Sequence, residues 1–285
     1  PLEGFSEFTI LSSQSSSSNI TQVSPDTAVC QDCLADMKRQ PHRLNYPFIN
    51  CTNCGPRFSI SEDLPYDRSK TTMKAFSLCP QCQQEYDDVT DRRFHAQPNA
   101  CRHCGPEYSL AYQGQRVTDL ETILTRTSEL LEQGKILAIK GIGGFHLACD
   151  ALNDHAVMRL RQRKQREGKP FAVMVKNPET LKAYAEISPK EAELLSSPKR
   201  PIVLLKKHKD PAAAVTRGLD TLGVMLPYTP LHYLLFERLS TEAIVLTSGN
   251  ISDEPIILSN EEALATFAQI ADLSLIHISE PTRPY

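Results

Sequence analysis

The stretch Cys30-Gln31-Asp32-Cys33, followed by seventeen residues and then Cys51-Thr52-Asn53-Cys54-Gly55-Pro56, decides how the first part of this chain folds. The pattern returns at Cys79-Pro80-Gln81-Cys82, followed by eighteen residues and then Cys101-Arg102-His103-Cys104-Gly105-Pro106. A repeat of about fifty residues is one structural unit used twice. Each CxxC turn aims two thiolates at one point, and two such turns complete a tetrahedral zinc site. The segment is rich in Cys, Pro, Asp and Arg and lacks long apolar runs, so metal must stand in for a core. Two structural Zn2+ ions are therefore expected, one on Cys30, Cys33, Cys51 and Cys54 and one on Cys79, Cys82, Cys101 and Cys104. Pairing within a repeat is preferred to a cross-braced arrangement, which the spacing alone leaves open. With thiolate at all four positions, neither site keeps an open position for catalysis. His42, His95 and His103 read as packing or hydrogen-bonding residues. The modules are expected at 25–69 and 70–115.

Outward from the cysteines, residues 1–24 form an extension whose Ser-rich run 11–19 has little ability to bury a core. The chain opens at Pro1 without a methionine and reads as part of something longer. Eight of the nine cysteines fall in CxxC pairs and no secretory signal opens the chain, which points to metal in the reducing cytoplasm rather than to disulfides. Of the 285 residues, 40% are hydrophobic and 23% charged, and the net charge is −3. Residues 1–110 carry 10 Lys/Arg against 13 Asp/Glu, and residues 111–285 carry 21 against 21. Neither half has the basic balance of a nucleic-acid binder, and no apolar run is long enough for a membrane span.

Past residue 115 the composition becomes that of an α/β domain. Leu120, Ile123, Leu124, Leu130 and Leu131 predict a helix over 118–133, ended by Gly134. Asn153 is a cap for a helix reaching about Gln165. Apolar runs predict strands at 136–139, 171–175, 202–205 and 244–246. Lys140-Gly141-Ile142-Gly143-Gly144-Phe145-His146 follows the first strand, where glycines let backbone N–H groups approach phosphate. It matches neither a P-loop nor a dinucleotide fingerprint. By itself it reads as an ordinary strand-to-helix turn. The next helix adds Arg159, Arg161, Arg163, Lys164, Arg166 and Lys169, with only Glu167 as an acid among them. Thr247-Ser248-Gly249-Asn250 follows another strand, the usual place for a ligand crevice in α/β sheets. Together the three elements predict a triphosphate site. Cys149, preceded by Leu147 and Ala148, reads as a core residue rather than a nucleophile.

Several runs resemble one family closely. Asn45-Tyr-Pro-Phe-Ile-Asn-Cys51-Thr-Asn-Cys54-Gly-Pro-Arg-Phe58, Leu64-Pro-Tyr-Asp-Arg68 and Asp91-Arg-Arg-Phe-His-Ala-Gln-Pro98 resemble the zinc region of HypF carbamoyltransferases. Lys140-Gly-Ile-Gly-Gly-Phe-His-Leu-Ala-Cys-Asp150, Lys169-Pro-Phe-Ala-Val-Met174, Leu222-Gly-Val-Met-Leu-Pro-Tyr-Thr-Pro-Leu-His232 and Thr247-Ser-Gly-Asn250 look like that family's YrdC-like domain. The resemblance covers roughly residues 20–273 and implies a mixed twisted sheet with helices over 116–273, preceded by the two zinc modules. It also implies a reaction in which ATP and carbamate, made from carbamoyl phosphate, give carbamoyl adenylate. The carbamoyl group would pass to the C-terminal cysteine of a HypE-type partner and become the cyanide ligand of a nickel–iron hydrogenase. In that scheme Lys140, His146, Arg163 and Lys164 would act in catalysis. Gly143, Gly144, Arg161, Lys169, Thr247, Ser248 and Asn250 would hold the nucleotide, with Mg2+. The resemblance also implies an acylphosphatase domain and a kinase-like domain in family members, neither of which is expected within these 285 residues. Family members also continue differently after Leu273, so 274–285 is expected to be a non-native tail that cuts the domain short. The family's fold also carries a double-stranded RNA-binding label, which the acidic balance of residues 1–110 disfavours. Two rival readings stand: a YrdC-type threonylcarbamoyl-adenylate synthase, which normally lacks zinc repeats, and a non-catalytic zinc-ribbon platform.

Overall fold

The computed structural model describes residues 22–251 and 254–278; most of the expected N-terminal extension lies outside them. The centre is a nine-stranded mixed sheet. Its strands are β1 (Glu107–Tyr112), β2 (Gln115–Val117), β3 (Leu137–Gly141), β4 (Gly144–Asp150), β5 (Val173–Val175), β6 (Val203–Lys206), β7 (Thr221–Met225), β8 (Ala243–Ser248) and β9 (Leu273–Ile278). They lie in the order β2-β1-β9-β3-β4-β8-β5-β7-β6. Only β3–β9 and β5–β7 pair in parallel. Two short helices belong to the zinc region, α1 (Gln31–Arg39) and α2 (Pro80–Asp87). Seven more flank the sheet: α3 (Leu120–Glu132), α4 (Asp154–Arg163), α5 (Pro178–Leu181), α6 (Pro189–Ser196), α7 (Ala213–Thr216), α8 (Pro230–Phe236) and α9 (Asn260–Phe267).

Alternation along the strands gives the sheet two apolar faces, as a sheet covered on both sides requires. Leu137 and Ile139 pack with Leu124 and Leu131 of α3, Leu231 and Leu235 of α8, and Ile49 and Met73 of the zinc region. Ala138, Phe145 and Leu147 pack on the other side with Val157 and Leu160 of α4 and Phe267 of α9. The helices begin where short polar side chains can take the first free N–H groups. Asp119 accepts from Thr122 N, and Asn153 accepts from Ala156 N.

Three expectations need correction. β1 follows Cys104-Gly-Pro directly, so residues 107–112, expected at the end of the second zinc module, form a strand of the sheet. The sheet also runs beyond Leu273. β9 lies between β1 and β3, with Ser274, Leu275 and Ile276 paired to Ala111, Leu110 and Ser109 and buried. The alternating Leu-Ser-Leu-Ile run satisfies the strand period, so ladder and core both extend past the expected break. Finally, the glycine-rich run does not lead from a strand into a helix. Gly141 pairs with Gly144, and Ile142-Gly143 turns β3 back into β4 as a hairpin. Gly143 at φ +77° and Gly144 at φ +136° meet the backbone demand that only glycine satisfies without strain.

Candidate functional site

The zinc region holds two closed thiolate clusters, each drawn from one repeat. In the first, Cys30 Sγ to Cys51 Sγ is 3.8 Å, Cys51 to Cys54 is 3.7 Å, and Cys54 to Cys33 is 3.6 Å. In the second, Cys79 to Cys101 and Cys101 to Cys104 are each 3.7 Å. A tetrahedron with Zn–S bonds of about 2.3 Å has edges of about 3.8 Å, so both clusters fit structural zinc. α1 and α2 start directly after the first cysteine of their repeat, and Cys33 N donates to Cys30 Sγ. The repeats also interlock through arginine. Arg43, fully buried, crosses from the first repeat to Glu85, Asn99 Oδ1 and Cys82 Sγ of the second. Arg92 and Arg93 of the second repeat reach Asp36 on α1, and Arg92 Nη1 lies 3.8 Å from Cys33 Sγ. Each thiolate cluster is thus met by a cation from the other repeat. His42 Nε2 bonds Glu85 and Arg43, as a structural residue does.

The second assembly sits at one end of the sheet, where β4 begins and β8 ends. Register places His146 opposite Ser248. Lys164, just after α4, is 1% exposed, and its Nζ donates to Ser248 O at 2.7 Å, Asn250 O at 2.6 Å and Asn250 Oδ1 at 2.5 Å. Ser248 Oγ donates to Asn250 Oδ1 at 2.7 Å. Burial, then Arg166, pulls the Lys164 ammonium down to about 8. His146 is held down to about 4, first by burial and then by Lys164, so its imidazole is neutral near pH 7. The Tyr228 hydroxyl lies 3.4 Å from His146 Nε2, while His146 Nδ1 is buried with no hydrogen-bond partner. One strand over, Lys140 Nζ donates to Asn260 Oδ1 at 2.9 Å and lies 5.5 Å from the Phe145 ring centroid.

The hairpin is clamped to this loop by backbone. Phe145 N donates to Ile257 O at 3.0 Å, Gly249 N to Phe145 O at 2.7 Å, and Ile257 N to Gly249 O at 3.0 Å. A Cβ on Gly249 would lie 2.6 Å from Phe145 O, and one on Gly144 would lie 2.5 Å from Ile256 Cγ2. Gly249 is therefore required for close approach, and Gly144 for both approach and backbone conformation.

The basic helix does not present one cationic face. Arg161 is buried, stacks 4.5 Å from the Phe171 ring, and donates to the carbonyls of Arg166, Lys169 and Ala214. Arg163 reaches Asp272 Oδ1 and Ile270 O, each at 3.0 Å, and Arg159 donates to Gly134 O. These guanidiniums tie α4 to its neighbours instead of converging with Lys164. Lys169 is exposed, and Thr247 is half-buried on the opposite sheet face from Ser248. Of the expected residues, the fold brings together His146, Lys164, Ser248 and Asn250, with the Gly143-Gly144 turn adjoining, while Lys140 lies one strand over against Phe145 and Asn260.

Sequence reasoning left out Tyr228, His232 and Asn260. His232 forms a capping box with Thr229 at the start of α8, accepting at Nδ1 from Thr229 N at 3.3 Å. Thr-Pro-x-His carries that signal at capping-box spacing, with His in place of the usual Glu or Gln. Cys149 is buried in the core as expected. Of the hard oxygens suited to Mg2+, Asn250 Oδ1 is already held by Lys164 and Ser248, so an ion there would be carried largely by nucleotide phosphates.

The family model for the HypF finger matches residues 29–61 and again 78–111, one match per cysteine repeat. The Sua5/YciO/YrdC model, described as telomere recombination, matches residues 129–283. The carbamoyltransferase HypF of Rhodobacter capsulatus is 47% identical over 90% of this chain. The chain belongs to the HypF carbamoyltransferase family. It spans 34% of that relative's length, about a third. A crystal structure of full-length HypF in a phosphate- and nucleotide-bound form is 53% identical, with a TM-score of 0.88 over 94% of this chain and 35% of that one. A threonylcarbamoyl-AMP synthase of Pseudoalteromonas atlantica is 32% identical over 47% of this chain and 75% of its own length. HypF membership accounts for both the zinc repeats and the sheet domain that follows. Among the described residues no helix is long and apolar enough to cross a membrane.

Proposed function

We propose that the sheet domain adenylates carbamate, as one step of a larger HypF reaction. A carbamate oxygen attacks the α-phosphorus of ATP, a new C–O–P linkage forms, and pyrophosphate leaves. The carbamoyl group then passes to the C-terminal cysteine of a HypE-type acceptor, and dehydration there yields the cyanide ligand of a nickel–iron hydrogenase. The observation that carries this reading is the buried Lys164 ammonium, fixed on Ser248 and Asn250 beside the neutral His146. A cation held in a desolvated loop stabilises charge that develops on the transferring phosphoryl group and needs little reorganisation to do so. Lys140 adds a second buried cation, and His146 with Tyr228 orients the small acyl group. Mg2+ beside Asn250 would offset the negative charge of the nucleotide phosphates. No nucleophilic side chain is needed, because positioning supplies much of the effect. The zinc modules are structural. Lasting thiolates suit the reducing cytoplasm as the site of action.

A threonylcarbamoyl-adenylate reaction is favoured by the synthase relative, but the zinc repeats favour the hydrogenase reading. ATP–pyrophosphate exchange separates them. Exchange with carbamate alone supports carbamoyl adenylation. Exchange that requires threonine and bicarbonate replaces it with the synthase reading. Silence from folded, zinc-loaded chain favours a platform role.

A further inference from the structure

The run Thr27–Val29, just ahead of Cys30, ties the first cysteine cluster to the His146 end of the sheet. Thr27 pairs with Gly55, the residue after Cys54: Thr27 N donates to Gly55 O and Gly55 N to Thr27 O, each at 3.1 Å. The chain then crosses to the sheet domain. Ala28 N donates to Pro198 O at 2.9 Å, and Val29 N donates to Tyr228 O at 3.0 Å. Val29 is buried, so water does not compete for that bond. Tyr228 is gripped at its other atoms too. Its N–H points to His232 Nδ1 at 3.5 Å, and its ring meets the His232 ring edge-on, with centroids 4.6 Å apart. Its hydroxyl reaches His146 Nε2 at 3.4 Å. Burial pushes that hydroxyl above its ordinary value, so it keeps its proton across the neutral range. His146 in turn lies opposite Ser248, which anchors Lys164. The second cluster meets the sheet elsewhere, through β1, whose Tyr108 hydroxyl donates to Lys140 O.

We propose that Tyr228 is a positioning residue for His146, and that the first zinc module holds it there through the Val29 N–H. With zinc on Cys30, Cys33, Cys51 and Cys54, the run Thr27–Val29 is fixed at both sides, by Cys30 directly after it and by Gly55 next to Cys54. Rigid coordination then sets where Val29 presents its N–H, and residues 226–229, between β7 and α8, follow. The metal takes no part in the chemistry. It orients the side chain that orients the imidazole, as groups outside a site commonly do for the groups within it. The link from zinc to His146 stands on these bonds; its effect on catalysis rests on the adenylation reading.

The test compares Val29→Pro, which deletes the N–H, with Val29→Ala, which keeps it and trims the same side chain. Bound zinc and the ring nitrogen resonances of His146 are measured in both, in the zinc-loaded chain. The expected result is full zinc content in each variant and a His146 shift in Val29→Pro alone. An equal shift in both variants, or none in Val29→Pro, overturns the clamp. Where Val29→Pro releases zinc, hydrogen exchange in the wild type decides instead: a Val29 amide as protected as the sheet core supports the bond, and one that exchanges like an open chain overturns it. Tyr228→Phe, which keeps the ring and the backbone bond, is expected to shift the same resonances and to slow pyrophosphate exchange by about a hundredfold, the scale of a small misplacement. Adding His146→Gln to it should cost no more than His146→Gln alone, because both act through one ring. Additive losses overturn the positioning role. A His146 shift in a wild type without pyrophosphate exchange retains the clamp and removes the adenylation reading. Pyrophosphate exchange that persists with His146 unmoved in Val29→Pro does the reverse.

Discussion

Lys164 and His146 show how burial sets the charge of a candidate site one side chain at a time. Lys164 loses hydration but gains three oxygen partners, and its charge holds the 248–250 loop in place. Replacing it with Gln removes that charge, and pyrophosphate exchange is expected to fall by about a hundredfold or more, the scale of losing one preorganised electrostatic contact. Exchange should also decline as pH rises through about 8, where the ammonium loses its proton. His146 acts on the acid side. Its folded value of about 4 lies below the ordinary 6.5, so the unfolded chain binds more protons between those limits. Stability from this group is thus complete above about 6.5 and is lost as pH falls towards 4. Thermal melts of the wild type and His146→Gln should diverge across that window, with the variant showing the shallower acid slope. His232, held near 3 by burial and then by His146, keeps its burial contribution to the acid slope in both proteins and loses only the His146 part in the variant. Much of this cluster was legible in advance, because hydroxyl and amide groups after an apolar strand mark a ligand crevice. The exclusion of Arg161 and Arg163 was not. Six cations close in sequence say nothing about which carbonyls and carboxylates lie around the helix.

At the scale of elements, the zinc repeats behave as one interlocked pair. Each cysteine cluster is complete within its repeat, yet Arg43 and Arg92 cross to sulfurs of the other. A zinc ion held by four thiolates carries net negative charge, and groups that hold the ligands from outside typically matter 10–100-fold in metal affinity. Arg43→Ala should therefore weaken zinc retention at Cys79, Cys82, Cys101 and Cys104 by about that factor, in a chelator competition that counts ions released. Release of both ions together would show that the crossing arginines couple the sites. The four CxxC pairs announced the ligands because thiolate geometry is local. The arginine crossing could not be read, since it joins residues 39 and 59 positions apart. The glycine-rich run shows the same limit. Its glycines correctly signalled a demand on the backbone, but a hairpin and a phosphate turn share that signal. Only pairing of Lys140 with Phe145 and Gly141 with Gly144 distinguishes them.

Across the whole molecule, one sheet joins what the sequence divides. β1 emerges straight from the second cysteine cluster, and β9 ties it to β3. The zinc region and the sheet thereby share one buried face, with the Tyr108 hydroxyl donating to Lys140 O across it. Ending the chain after Leu273 would strip β9 of Ser274–Ile278 and leave β1 and β3 without their common partner. Such a chain is expected to lose its cooperative melt, as read by circular dichroism against the full chain; an unchanged melt would show that β9 is dispensable. By itself the sequence determined the zinc ligands, the α3 and α4 caps and the α/β character, because turn geometry, capping and hydrophobic period act over a few residues. Tertiary structure alone decided the strand order, the inclusion of 107–112 and 274–278 in the sheet, and which cations face the candidate site. Those outcomes depend on contacts between residues far apart in the chain, where local propensity is silent and burial of two faces at once selects the answer.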